Sequence, residues 1–380
     1  MTLVSDDRSG VRRLLDDRSM VERIFQHIDA GTTDLSSETW REPVENYRTG
    51  ERLAAELRRV LRRHPTPFCP SAALPDVGSY LARDAAGIPI LAVRGHDGTV
   101  RAFRNACRHR GMAVASGSGC GRSLVCPYHG WVYRLDGMLR HIPHDDGFPQ
   151  IDKATTGLVP VEAGERAGLV FVTQDGETGS ALDDLPDLVA PDQRLLGSSE
   201  REIAANWKIL LEGFLEGYHI RSTHPQTFYP FGFDNLNVVE TFGQHSRVTF
   251  PFRRIEKLRD VPPAQRRVDG LLTYVYQVFP NVVIAVLSHH TTMVVLEPLT
   301  PATTRMLTYT MTNRGRDDEE GRRAAERDTE FGSDGNAEDI AVACAIQKGL
   351  ASGANDAFTY GRFEGAITHF HRQLDAALAA

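Results

Sequence analysis

Residues 206–225 read NWKILLEGFLEGYHIRSTHP and constrain this chain more than any other stretch. Taken as a helix, they are apolar almost all round: Trp207, Ile209, Leu210, Leu211, Phe214, Leu215 and Tyr218. Such a helix belongs inside a core. Yet Lys208, Glu212, Glu216 and His219 follow one another at steps of four, four and three, so they share a face. Buried carboxylates and imidazoles are costly unless paired or bound to metal. His224 lies off that stripe, and Pro225 pushes it away from helical angles. The helix is therefore expected to end or distort just before His224, which lets that side chain swing back beside His219. Two histidines and a carboxylate around one point suit a non-haem Fe(II) with open positions. The plainer alternative is a buried helix with a satisfied polar seam, since E-x-x-H-x4-H is a short pattern.

The chain has 380 residues, 41% hydrophobic and 24% charged, which allows two or more domains and a sizeable core. A net charge of −7 leaves no overall basic footprint for nucleic acid. No apolar run approaches the ~20 residues that span a bilayer, and the N-terminus carries no apolar signal core. The five cysteines are an odd, sparse set, which argues against a disulfide framework and for a reducing cytoplasm.

Along the chain, Val11 to Ile28 suggest one or two short helices, and residues 51–63 an amphipathic helix with Leu53, Leu57, Val60 and Leu61 on one side. From about Gly78 the period becomes that of strands. A hairpin is expected around Asp97-Gly98, and more short strands around residues 124–135 and 168–174. Residues 176–198 are polar and punctuated, as in a linker. After the central helix come alternating stretches that predict an antiparallel meander, then a mixed-charge run at 314–328 and helices at 337–350 and 362–378.

A second constellation lies in the first half. Cys107-Arg108-His109 is followed by Cys126-Pro127-Tyr128-His129, and each group is trailed by a glycine, Gly111 and Gly130. Glycine lets a backbone approach a cluster closely. Two thiolates and two imidazoles fit either one tetrahedral zinc or a Rieske [2Fe–2S] centre. Structural zinc usually groups like ligands as C-x2–4-C and H-x3–5-H. Here each loop supplies one cysteine and one histidine, which favours two matched loops around a dinuclear cluster. Cys120 fits neither ligand pair.

With CRHRG, CPYHGW, NWK and E-x-x-H-x4-H in place, the sequence resembles the α subunits of Rieske non-haem iron oxygenases over nearly its whole length. The closing stretch from Glu338 to His371 resembles that family too. The resemblance implies an α+β chain: residues 1–66 as a helical segment packing on the catalytic domain, 67–176 as an all-β Rieske domain, and 177–380 as a helix-grip catalytic domain, an antiparallel sheet covered by helices. It implies Cys107, His109, Cys126 and His129 on a [2Fe–2S] cluster, and His219, His224 and Asp339 on Fe(II). Asp339 is also expected on an apolar inward stripe with Val342, Ala343 and Ile346, while Glu338 points to solvent. Glu216 is expected to bridge the two centres between neighbouring copies of a homotrimer, with Glu212 as runner-up. Many members carry Asp where this chain has Glu216; Glu occurs among those acting on quaternary ammonium or related substrates.

The implied reaction uses O2 and electrons to hydroxylate, dihydroxylate or oxidatively dealkylate a small organic substrate. No G-x-G-x-x-G opens a helix after a strand, so a separate flavin or iron–sulfur reductase or ferredoxin using NAD(P)H is the expected partner. Two rivals are a Rieske electron carrier or sensor without oxygenase activity, which leaves the second half idle, and a colourless zinc-scaffolded binding protein. His369 and His371 read as surface or core histidines. His289 and His290, adjacent on a strand, face opposite sides, so one could reach the catalytic cavity. Phe214, Tyr274, Tyr276, Phe279, Met293, Phe358 and Phe363 are candidates for its walls, though aromatics at such spacing are more often core.

Overall fold

The computed structural model describes residues 14–179, 181–316 and 318–380; Val11, at the start of the expected first helix, lies outside them. The chain opens with α1 (Asp17–Ala30), capped by Asp16 accepting from the Ser19 amide and closed by Gly31 in the left-handed region. Strand β1 (Trp40–Pro43) and two short helices, α2 (Glu45–Arg48) and α3 (Gly50–Ala55), follow. The expected helix at 51–63 is not uniform: its second half, Glu56–Leu61, is a π-helical turn. Glu56, three residues after Leu53 and four before Val60, is fully buried and accepts from Trp207 Nε1 and Lys208 Nζ.

A first sheet is built from β2 (Thr66–Pro70), β3 (Ser79–Ala85), β4 (Ile88–Arg94), β5 (Val100–Arg104) and β6 (Gly117–Cys120). A small second sheet holds β7 (Leu124–Val125), β8 (Val132–Tyr133) and β9 (Leu139–His141). The first is completed by β10 (Pro160–Arg166) and β11 (Leu169–Thr173) in the order β2-β11-β10-β5-β4-β3-β6, its pairs antiparallel. The Asp97-Gly98 turn joins β4 to β5 as the sequence predicts.

The second half is one antiparallel sheet: β12 (Leu195–Ile203), β13 (Val238–Phe242), β14 (His245–Pro251), β15 (Leu272–Val278), β16 (Val282–Val286), β17 (His290–Thr300) and β18 (Thr303–Thr312). Strands β13 to β18 meander in chain order, and β12 pairs with β18 at the far edge. Between β12 and β13 lie α4 (Trp207–Gly213) and α5 (Ile220–Thr223); after β18 come α6 (Glu319–Gly349), β19 (Ala357–Tyr360) and α7 (Gly365–Ala379). Pairing of β19 with β1 joins the two ends of the chain.

Side chains alternate across the strands, so this sheet has two buried faces. One carries Tyr276, Ile284, Met293, Leu307 and Tyr309 against Phe68, Leu74 and Phe171 of the first half. The other carries Val248, Val275, Val294 and Leu296 against Trp207, Leu211 and Leu215 of the α4 region, Ala343 of α6, and Ile367 and Phe370 of α7. The fold is therefore α+β, with helices covering an antiparallel sheet. Among the described residues no helix is long and apolar enough to cross a membrane.

Candidate active site

The expected single helix from 206 to 223 is broken. Asn206 caps α4 by accepting from the Lys208 amide at 2.9 Å, but regular helix stops at Gly213 and resumes only for the single turn of α5. Gly213 and Gly217 weaken the intervening turn. Gly217 also sits in a tight place: a Cβ there would come within 3.2 Å of both Asn237 Oδ1 and the Phe250 ring. The break puts Tyr218 in solvent, not in the core where the apolar pattern puts it. It also disperses the polar stripe, since Glu212 stays on α4 while Glu216 and His219 sit in the loop and its end.

That loop and α6 meet at one point. His219 Nε2 is 3.5 Å from Asp339 Oδ1, and His224 Nε2 is 2.8 Å from the same oxygen. One ligand atom from each of the three residues lies within 4.8 Å of the others, and among the described residues no other such trio of His, Cys, Asp or Glu is found. Donors of this kind so arranged can hold a divalent metal on one face. Asp339 does not lie on a buried apolar stripe as expected: Val342 and Ile346 are each 39% exposed and only Ala343 of that set is buried.

Each histidine is gripped from behind by a glutamate. Glu216 contacts His219 Nδ1 through Oε1 and accepts from the His219 backbone amide at 3.2 Å. Glu338 Oε2 lies 2.7 Å from His224 Nδ1 and accepts from Thr227 Oγ1 at 2.6 Å. The expectation that Glu338 faces solvent is thus corrected. α6 crosses the loop so that two adjacent residues reach opposite edges of one imidazole, a rotation that spacing alone does not reveal. Thr227 carries no motif signal. Burial opposes charge on His219, but Asp339 and Glu216 outweigh it and lift the imidazole to about 10. His224 is likewise raised against burial by Asp339 and Glu338. Burial alone would raise the Asp339 carboxyl; the two imidazoles hold it below the ordinary range.

In the first half, the two Cys/His loops are near copies. Cys107 N–H donates to Met112 O at 2.8 Å and Gly111 N–H to Cys107 O at 2.9 Å; Cys126 N–H donates to Trp131 O at 2.9 Å and Gly130 N–H to Cys126 O at 3.0 Å. Gly111 and Gly130 both take positive φ, at 77° and 70°. The loops bring like to like. His109 Nδ1 and His129 Nδ1 lie 3.1 Å apart at the surface, while the cysteines are both buried and interact with each other. Thiolates on one side and imidazoles on the other present two separate pairs rather than one tetrahedron. Two supporting residues carry no ligand signal in the sequence. Tyr133 OH sits 3.2 Å from Cys107 Sγ and accepts from the Arg108 amide at 2.9 Å. Trp131 stacks on His109, ring centroids 5.1 Å apart.

Other candidates fall elsewhere. Glu212, the runner-up bridge, points into a buried cluster with Tyr47, Tyr360 and His371. His371 is a core histidine, and His369 is partly buried. His290 is bound through Nδ1 to Asp328 at 2.9 Å, three helical turns ahead of Asp339 on α6, or about 16 Å along its axis. Tyr276 and Met293 pack on the sheet face away from α4, and Phe279 is in the helix-side core, so none of the three is a free cavity wall.

Residues 64–178 match the family model described as the Rieske [2Fe-2S] domain, and residues 192–380 that of the ring hydroxylating alpha subunit, catalytic domain. This chain belongs to the Rieske non-haem iron oxygenase α-subunit family. A Rieske [2Fe–2S] cluster and a mononuclear non-haem iron are its cofactors. Among relatives of this chain, the carnitine monooxygenase oxygenase subunit of Escherichia coli K12 is 33% identical over 198 residues, 50% of this chain and 53% of the relative. The glycine betaine monooxygenase oxygenase subunit of Chromohalobacter salexigens is 34% identical over 193 residues, 48% and 43% of the two chains. Choline monooxygenase of Spinacia oleracea is 27% identical over 79% of this chain and 69% of its own. The chain thus spans about half the length of the first two relatives. In fold it is similar to a quaternary ammonium Rieske monooxygenase in complex with L-carnitine (TM-score 0.73, 22% identity, covering 90% and 96% of the chains). It is also similar to naphthalene 1,2-dioxygenase with indole bound (TM-score 0.75, 19% identity, 90% and 92%).

Proposed function

We propose that this chain is the oxygenase component of a multi-component monooxygenase that oxidises a small quaternary ammonium compound. Cys107 and Cys126 would hold one iron of the cluster and His109 and His129 the other; His219, His224 and Asp339 would hold Fe(II). The observation that carries this reading is the convergence of His219, His224 and Asp339, whose ligand atoms lie within 4.8 Å of one another. When bound, the cluster supplies single electrons and the mononuclear iron activates O2. The chain's own residues do the rest. Glu216 fixes His219 through Nδ1, and Glu338 fixes His224. Residues 1–66 and 177–380 form one catalytic unit around residues 67–176.

The substrate class rests on the relatives, which are named for carnitine, glycine betaine and choline. All three compounds carry a trimethylammonium group. Hydroxylating a carbon on that nitrogen yields an adduct that collapses to an aldehyde and a tertiary amine. One oxygen atom enters the product and the other leaves as water, consuming two electrons and two protons. The electrons come from NAD(P)H through a separate flavin and iron–sulfur reductase. His129 and its neighbour Tyr128 are exposed, which suits docking of the cluster edge against the iron site of the next copy in a head-to-tail homotrimer with Glu216 between them.

The test is turnover of carnitine, glycine betaine and choline with NADH and such a reductase. Amine and aldehyde, formed at one O2 per NADH, are expected with at least one of them. Conversion of an aromatic hydrocarbon to a cis-diol, with all three ammonium compounds untouched, would overturn the substrate class. Turnover with NADH and no second protein would overturn the reductase requirement.

A further inference from the structure

Glu338 and Asp339 are adjacent on α6 and take opposite edges of the same ring. Asp339 Oδ1 faces His224 Nε2 at 2.8 Å, and Glu338 Oε2 faces His224 Nδ1 at 2.7 Å. Only the Nε2 side belongs to the metal point. Glu338 is itself pinned by the Thr227 hydroxyl at 2.6 Å, three residues beyond His224. The next residue, Phe228, packs its ring 4.6 Å from the His224 ring. That ring fits against α6 because residue 335 is glycine; a Cβ there would collide with it. Residues 224–228 and one turn of α6 are therefore keyed together at three places, and His224 is buried at their centre with no solvent exposure.

We propose that Glu338 is a positioning residue for the second metal histidine. It holds the proton on Nδ1, leaves the Nε2 lone pair for the metal, and fixes the ring plane before the metal arrives. An imidazole that donates its outer N–H to a carboxylate is oriented and made a better ligand, and losing such a partner typically costs about 10–100-fold in metal affinity. Glu216 stands in the same relation to His219 Nδ1, and under the proposed function it also bridges to the neighbouring copy. Glu338 lies on the other histidine, His224. This inference rests on the iron-site reading above.

The test is metal affinity, independent of turnover. Protein carrying its Rieske cluster but stripped of mononuclear iron is titrated with Co(II), followed by visible absorption, and with Fe(II) against a chelator. Glu338→Ala is expected to bind both at least tenfold more weakly, with an altered Co(II) spectrum. Glu338→Gln, whose amide oxygen still accepts from Nδ1–H, recovers most of the loss. Thr227→Val gives a smaller loss. Native-like affinity and spectrum in Glu338→Ala overturn the inference. If Glu338→Ala loses its Rieske absorption and so fails to fold, Thr227→Val decides: affinity within twofold of native overturns the inference. If native protein binds no metal at this site, or His219→Ala binds it as tightly as native, the iron-site reading itself fails instead.

Discussion

Glu212 Oε1 lies 2.9 Å from His371 Nε2, so α4 is tied to α7 in a place almost closed to solvent. Tyr47 donates to the same oxygen at 2.7 Å and Tyr360 to the other at 2.7 Å. Three segments from the two ends of the chain thus converge on one carboxylate of α4, one turn before the iron loop. A charged group buried among partners costs heavily when one partner is removed. Glu212→Ala should lower stability by about 3–5 kcal/mol, read from denaturant unfolding. A loss below 1 kcal/mol would show that the cluster is not cohesive.

Glu216→Gln should behave in the opposite way. Its contacts are local to His219, so unfolding changes little. We expect a trimer with both metals bound and a normal Rieske spectrum, but nearly no product. In single turnover, reduced clusters should fail to reoxidise when substrate and O2 are added. Normal turnover by Glu216→Gln alongside a dead Glu212→Gln would mean that the wrong carboxylate has been named, and an active monomer on a sizing column would remove the cross-chain route.

Metal content separates the two centres. Native protein should carry three irons and two acid-labile sulfides per chain. His109→Ala or Cys126→Ala should lose the red-brown colour. His219→Ala or Asp339→Ala should keep it, lose one iron, and give no oxygenation. Elemental analysis that finds zinc in place of iron would end the whole reading.

His245 predicts an acid limb in stability. Burial, helped by His369, pushes its imidazole down to about 4, and its Nδ1 accepts from the Phe279 amide at 2.9 Å, a contact that needs the neutral ring. The unfolded chain takes up this proton near pH ~6.5, the folded chain only near 4. The contribution is therefore complete above about pH 6.5 and is lost as pH falls toward 4, on the order of 3 kcal/mol in all. Thermal melts from pH 7 to 4 should fall less steeply in His245→Gln than in native protein. Equal slopes would reject the assignment.

Part of the site is legible in the sequence because it is local. C-x-H and C-x2-H each fit within one turn, with the glycine that the turn needs, so the loops can be read without their surroundings. The Asp97-Gly98 hairpin and the β13–β18 meander are also local, set by turn chemistry and by alternation. His219 and His224 are five residues apart, and Pro225 marks where helix geometry must fail.

What tertiary structure decided is orientation between distant segments. At the break between α4 and α5, Asn237 and Phe250 close on Gly217, a contact with no signature in the helix itself. Glu338 reads as a surface residue from spacing along one helix, yet the crossing of α6 over residues 224–228 turns it onto His224. Glu212 reads as part of the iron stripe, yet Tyr47, Tyr360 and His371, up to 165 residues away in sequence, take it. Sequence periodicity states which residues share an element's face. It does not state what that face meets, because the rotation of one packed element against another is set by all of their side chains at once.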